Sequence, residues 1–131
     1  MATIKSYTDI SQSKKLAEIL PIESADMYWW SSGKRYYIEA MDDGDFNEEE
    51  GHIRAWSLTS LLDILPKEYT NSKNQVCTLH IDIVDSETPY LMWYANPEHE
   101  GSIVEIKTKE YSNLIDACYE MILKLDTFKI L

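Results

Sequence analysis

The chain has 131 residues, 44% of them hydrophobic, with 23 acidic against 12 basic side chains and a formal net charge of −11. No run approaches the ~18 apolar residues of a membrane span, the N-terminal stretch lacks the basic-then-apolar pattern of a signal peptide, and the negative charge repels phosphate backbones. Membrane spanning and direct nucleic-acid binding are thereby disfavoured, and the expectation is a cytoplasmic protein with one compact core.

In chain order the first expected element is a helix. Asp9 caps it, Gln12 completes a loose capping box, Leu16, Ile19 and Leu20 give one apolar face, and Pro21 stops it. Residues 27–30 and 35–39 then flank Ser31, Ser32, Gly33 and Lys34, a hairpin signal in which the glycine takes the positive φ of the turn. Between 39 and 50 stand seven carboxylates (Glu39, Asp42, Asp43, Asp45, Glu48, Glu49, Glu50) and no Lys or Arg. That stretch reads as an exposed, mobile loop.

A second helix follows, N-capped by Ser57, with Leu58, Leu61, Leu62 and Leu65 at i, i+3, i+4 and i+7, Trp56 placed to staple onto Leu61, and Pro66 closing it. After a polar connector over 67–74, Cys77, Leu79, Ile81 and Ile83 alternate with Thr78, His80, Asp82 and Val84 as in a strand with one buried face. Two further strands fall at 89–96 and 102–107, with turns at 85–88 and 96–101, and three strands at such close spacing pair as an antiparallel meander. The last helix runs over about 111–125. Tyr111, Leu114, Ile115, Cys118, Met121, Ile122 and Leu125 form its apolar stripe, with Glu120 and Lys124 as an exposed pair. The whole is an α+β single domain. An antiparallel sheet, hairpin plus three-stranded meander, carries three helices mainly on one face in the order α-β-β-α-β-β-β-α. Cys77 and Cys118 lie on apolar faces and are expected as core thiols.

Signals for chemistry are sparse. Asp43, Asp45 and Asn47 begin like a calcium-binding EF-hand loop, but Glu48 stands where Gly is needed and Arg54 where the bidentate Glu belongs, so an EF-hand is excluded. Cys77 and His80, three apart in a strand, point to opposite faces and cannot share a zinc ion. His80 and Asp82 share a strand face and form a candidate oriented base, but no nucleophile motif accompanies them, and no phosphate or dinucleotide loop is present. No metal and no cofactor are expected. The aromatic residues are more pointed: Tyr28, Trp29, Trp30, Tyr36 and Tyr37 in the hairpin, with Tyr90, Trp93 and Tyr94 in the meander, put large rings on both faces of their strands. Some of them should be exposed.

Taken together, the phrases over 9–21, 56–66 and 115–125 resemble a family of small, acidic, uncharacterised proteins encoded in prophages and other mobile elements of gut bacteria. The resemblance spans the three helices and implies a bacterial cytoplasmic setting, with no activity attached. Three functions are weighed. The preferred one is a non-enzymatic protein-binding module, an acidic inhibitor, immunity or anti-defence protein. In it Asp42, Asp43, Asp45, Glu48, Glu49 and Glu50, with Trp29, Trp30 and Tyr37, engage a basic partner. The alternatives are an aromatic platform for a carbohydrate or other small ligand, and a small hydrolase using His80 and Asp82. The oligomeric state is left open.

Overall fold

The computed structural model describes residues 5–41, 44–96 and 104–131. Helices α1 (Ile10–Ala17), α2 (Leu58–Ile64) and α3 (Leu114–Thr127) interleave with strands β1 (Met27–Ser32), β2 (Arg35–Ala40), β3 (Ile53–Ala55), β4 (Glu68–Thr70), β5 (Val76–Ile83), β6 (Tyr90–Ala95) and β7 (Val104–Lys107). The α+β class, the antiparallel pairing and the order of the expected elements are all present. The hairpin and the meander belong to two sheets, ordered β2-β1-β3 and β4-β5-β6-β7. The unforeseen β3 and β4 are three residues each, too short for a two-residue period to register. The expected turn over 96–101 lies outside the described residues but for Asn96.

The chain groups into two compact units, one of Ser6–Ile64 and one of Leu65–Leu131 together with Lys5. In the first, Asp9 caps α1 with the expected reciprocal box: its Oδ1 accepts from the Gln12 amide at 2.8 Å, and the Asp9 amide donates to Gln12 Oε1 at 3.2 Å. α1 ends at Ala17, before Pro21, and packs against β3. The core of this unit includes Leu16, Leu20, Tyr28, Ala55, Trp56 and Leu61. Thr8, fully buried, ties strand to helix: its amide donates to Trp56 O at 2.9 Å and its Oγ1 accepts from the Trp56 amide at 3.1 Å. Ser57 Oγ caps α2 by accepting from the Ser60 amide at 3.2 Å, and Asp26 in turn accepts from both the Ser57 amide and its hydroxyl. Of the leucine stripe, Leu61 and Leu65 are buried while Leu62 is exposed.

In the second unit, α3 lies against β6. Ile115, Cys118, Met121, Ile122 and Leu125 are fully buried, as their spacing predicts. The helix starts later than expected. Asn113 is its N-cap, accepting from the Asp116 amide at 2.9 Å, and Tyr111 instead bridges Tyr90 through hydrogen bonds of 2.7 and 3.0 Å. Glu120 does not pair with Lys124; it accepts from the Tyr111 hydroxyl at 2.6 Å and from the Lys109 amide. Cys77 and Cys118 are buried and form no disulfide. The expected buried face of β5 is only half realised, since Cys77 is buried but Ile81 and Ile83 are exposed, Ile83 at 76%. β4 pairs only with Val76–Thr78, so the far end of β5 has a neighbour on one side alone. Among the described residues no helix is long and apolar enough to cross a membrane.

Candidate functional site

Three groups of residues carry the functional expectations, and the structure treats them differently. The acidic stretch is a folded turn rather than a loose loop over its described part. Asn47 Oδ1 accepts from the Glu49 amide at 2.9 Å, Glu48–Glu50 form one short 3₁₀ turn, and Gly51 closes it at φ 85°, a left-handed conformation that glycine adopts without strain. Phe46 packs edge-on to Tyr28 at 5.6 Å, and Tyr28 stacks on His52 at 5.2 Å. The expected lack of local counter-charge does not hold. Arg54 supplies that charge: its Nε donates to Glu48 Oε1 at 2.5 Å while its Nη1 donates to Leu20 O at 3.1 Å; His52 Nδ1 accepts from the Asn47 amide at 3.0 Å. Glu39 accepts from the Tyr28 hydroxyl at 2.9 Å. Asp45, Glu48, Glu49 and Glu50 are exposed; Asp42 and Asp43 lie outside the described residues.

The hairpin aromatics are brought together by register. Strand alternation sends Trp29 and Trp30 to opposite faces of β1. On one face Trp29 sits opposite both Ile38 and Ile53, takes the edge of Tyr7 at 5.5 Å, and donates its indole N–H to Thr8 O at 3.0 Å. On the other, Trp30 sits opposite Tyr37 and stacks on it at 4.8 Å and 27°. The Trp30 indole nitrogen is buried and has no hydrogen-bond partner among the described residues. β3 stops opposite Trp29, so from Trp30 to the Gly33 turn and back to Tyr37 the hairpin has two strands only. Every residue of β2 is exposed except the half-buried Ile38, with Tyr36 at 48% and Tyr37 at 42%. No family model matches the chain, and neither a curated protein nor a solved structure matches it. Tyr36, outside the expected contact set of Trp29, Trp30 and Tyr37, is exposed because β2 is the outer strand, which the sequence does not state.

His80 and Asp82 share one face of β5, as their spacing requires, but nothing couples them. His80 stacks on Trp93, its cross-strand neighbour, at 4.2 Å and 14°, and its Nε2 lies 3.1 Å from Thr78 Oγ1. Among the described residues no hydrogen bond joins His80 to Asp82, and no group of three or more His, Cys, Asp or Glu could hold a metal ion. The imidazole is therefore held by ring stacking and a threonine hydroxyl, without the carboxylate that orients a general base.

Proposed function

We propose that this protein is a binding module for another protein, that its binding element is the β1–β2 hairpin, and that it works in a bacterial cytoplasm as an inhibitor, immunity or anti-defence protein. The observation that carries the reading is the outer strand β2, exposed along almost its whole length, with Tyr36 and Tyr37 bare and Trp30 stacked beneath Tyr37. Tyrosine and tryptophan give large contact area at low entropic cost, and they dominate the energetics of protein interfaces. An outer strand also offers a row of main-chain donors and acceptors to which an extended segment adds as a further strand. The net charge of −11 sets the sign of the partner. A basic protein is drawn in by the long-range field, to which the exposed Asp45, Glu49 and their neighbouring carboxylates contribute, and the rings supply the short-range hold.

The test places a photo-crosslinking amino acid at Tyr36 in one variant and at the exposed Glu110 in another, each irradiated in the producing cell. The expected result is one discrete adduct to a basic protein from position 36, lost when Tyr37→Ala removes the ring over Trp30, and no such adduct from position 110. Equal labelling from both positions, or an adduct indifferent to Tyr37→Ala, refutes the hairpin as the binding element. Neutralising Asp42, Asp43, Asp45, Glu48, Glu49 and Glu50 to Asn or Gln should slow association at low salt, because screening at ~0.15 M already confines exposed charges to about 8 Å.

A further inference from the structure

The sheet of the second unit carries a small cavity of about 230 Å³ lined by Asp82, Leu91, Trp93 and Lys107. Its walls follow from the register. Asp82 on β5 stands opposite Leu91 on β6, and Trp93, two residues along β6, stands opposite Lys107 on β7. A carboxylate and an ammonium therefore flank an indole from the two neighbouring strands. With strands ~4.8 Å apart and ~3.3 Å of rise per residue, the backbones of Asp82 and Lys107 are about 12 Å apart. Both side chains are exposed, and neither makes an ion pair among the described residues. His80 already stacks against Trp93, so a molecule in the cavity meets the rest of the indole and the Leu91 side chain. The Trp93 indole nitrogen is buried and has no hydrogen-bond partner among the described residues.

We infer that this cavity is a binding site for a short zwitterion, an amino acid or dipeptide whose ammonium meets Asp82, whose carboxylate meets Lys107, and whose apolar part lies on Trp93 and Leu91. The chemistry selects that class over a neutral sugar, because a ligand that carries both complements gains attraction from both charges, whereas a neutral one gains from neither. It selects it over a simple cation or anion for the same reason, since either ion alone meets one attractive and one repulsive wall. The lysine stem is flexible and spans about half of the separation, so the length of the ligand is adjustable by about one residue. This site is independent of the hairpin and stands or falls without it.

The experiment follows the tryptophan indole N–H resonances of ¹⁵N-labelled protein, with the Trp93 signal identified as the one absent from Trp93→Phe. The probes are glycyl-leucine, its N-acetyl derivative and its C-terminal amide. Glycyl-leucine is expected to shift the Trp93 signal saturably in the millimolar range, and each blocked probe to bind about tenfold more weakly. In Asp82→Asn the free and N-acetylated peptides should bind alike, and in Lys107→Met the acid and the amide should bind alike. Both positions are exposed, so neither change disturbs the core. The inference is overturned if no saturable shift occurs, if glucose shifts the signal as well as the dipeptide does, or if the discrimination between probes survives both substitutions.

Discussion

In the sheet of the second unit, β6 runs under α3 and four of its six residues are buried; in the sheet of the first, β2 is the outer strand and no residue of it is buried. Both strands are rich in large rings, and composition alone does not separate them. Their place in the sheet does. A central strand with a helix over one face converts Tyr94 and Met92 into core, with the Tyr94 hydroxyl donating to Pro66 O at 2.6 Å. An outer strand leaves Tyr36 and Tyr37 for other uses. The first unit adds to its apolar core specific side-chain hydrogen bonds at Thr8, Asp26 and Arg54, and the second rests on the apolar stripe of α3. Among the described residues each sheet also contains a tryptophan that stacks on its cross-strand neighbour and whose buried N–H has no partner, Trp30 on Tyr37 and Trp93 on His80.

If the second unit rests on its stripe, the largest effect belongs to Ile122→Asp. An unpaired carboxylate at a fully buried position costs several kcal/mol, against the ~5–15 kcal/mol that a domain has in total, so circular dichroism should report loss of folded structure. A cooperative thermal transition at the native temperature would show that the stripe is not the core.

The next effect is read at Cys118, whose thiol burial pushes from the ordinary value of 9.0 up to about 12. The folded state therefore favours the neutral thiol. Its contribution to stability is fully present below the unfolded pKa and is lost as pH rises from about 9 towards 12. Alkylation of Cys118 in native protein should stay slow at pH 9, where a denatured control reacts readily, and the two rates should converge above that window. Equal rates at pH 9 would mean that α3 is open on the reagent's timescale.

Smaller changes probe the first unit. Arg54→Met leaves Glu48 without its ion pair and the carbonyls of Ala17 and Leu20 without a donor. A loss of about 1–2 kcal/mol in urea denaturation is expected, because the guanidinium is shielded and its bonds are charge-assisted, unlike a fully exposed pair. The finest comparison is between adjacent tryptophans. Trp29→Phe gives up a hydrogen bond to Thr8 O, worth about 1 kcal/mol beyond the loss of ring area, whereas Trp30→Phe removes a donor that had no acceptor and should cost measurably less. Reversal of that order would mean that the Trp30 indole has an acceptor in solution.

Much of this architecture is written in local chemistry. The Asp9 and Gln12 box, the Ser57 cap, the Gly33 turn and the stripe of α3 each depend on residues within a few positions of one another, so each can be read from the chain. What escapes is set by partners distant in sequence. Alternation shows that Ile81 and Ile83 share a face with Cys77, but not that β4 ends opposite Thr78 and leaves them bare. Spacing on a helix offers Lys124 to Glu120, but Tyr111 and Lys109 reach it first from before the cap. The site was legible in part. The hairpin rings stand out as a group, and Trp29, Trp30 and Tyr37 do lie in β1 and β2. Which of them faces Thr8 and which stacks under an exposed tyrosine depends on the register and on where β3 stops. The counter-charge of the acidic turn escapes for a simpler reason: Arg54 stands just beyond its last carboxylate.

Lys5 pairs with Asp116 at 2.9 Å across 111 positions, and the whole of Ser6–Ile64 is interposed between Lys5 and the remainder of its unit. Inside that interposed stretch the ends of the path are already tied, because Tyr7 bridges Ser57 and the Leu58 amide donates to Ser6 O at 3.2 Å. On the ribosome these residues are all translated before β4 begins, so the interposed unit has every one of its own contacts available first. The Lys5 to Asp116 pair then waits for α3, made after every element of the interposed unit. Closing a loop of that length costs only slightly more than closing one half as long. Lys5 is thus a clock hand of the folding order: its ion pair records that α3 has docked.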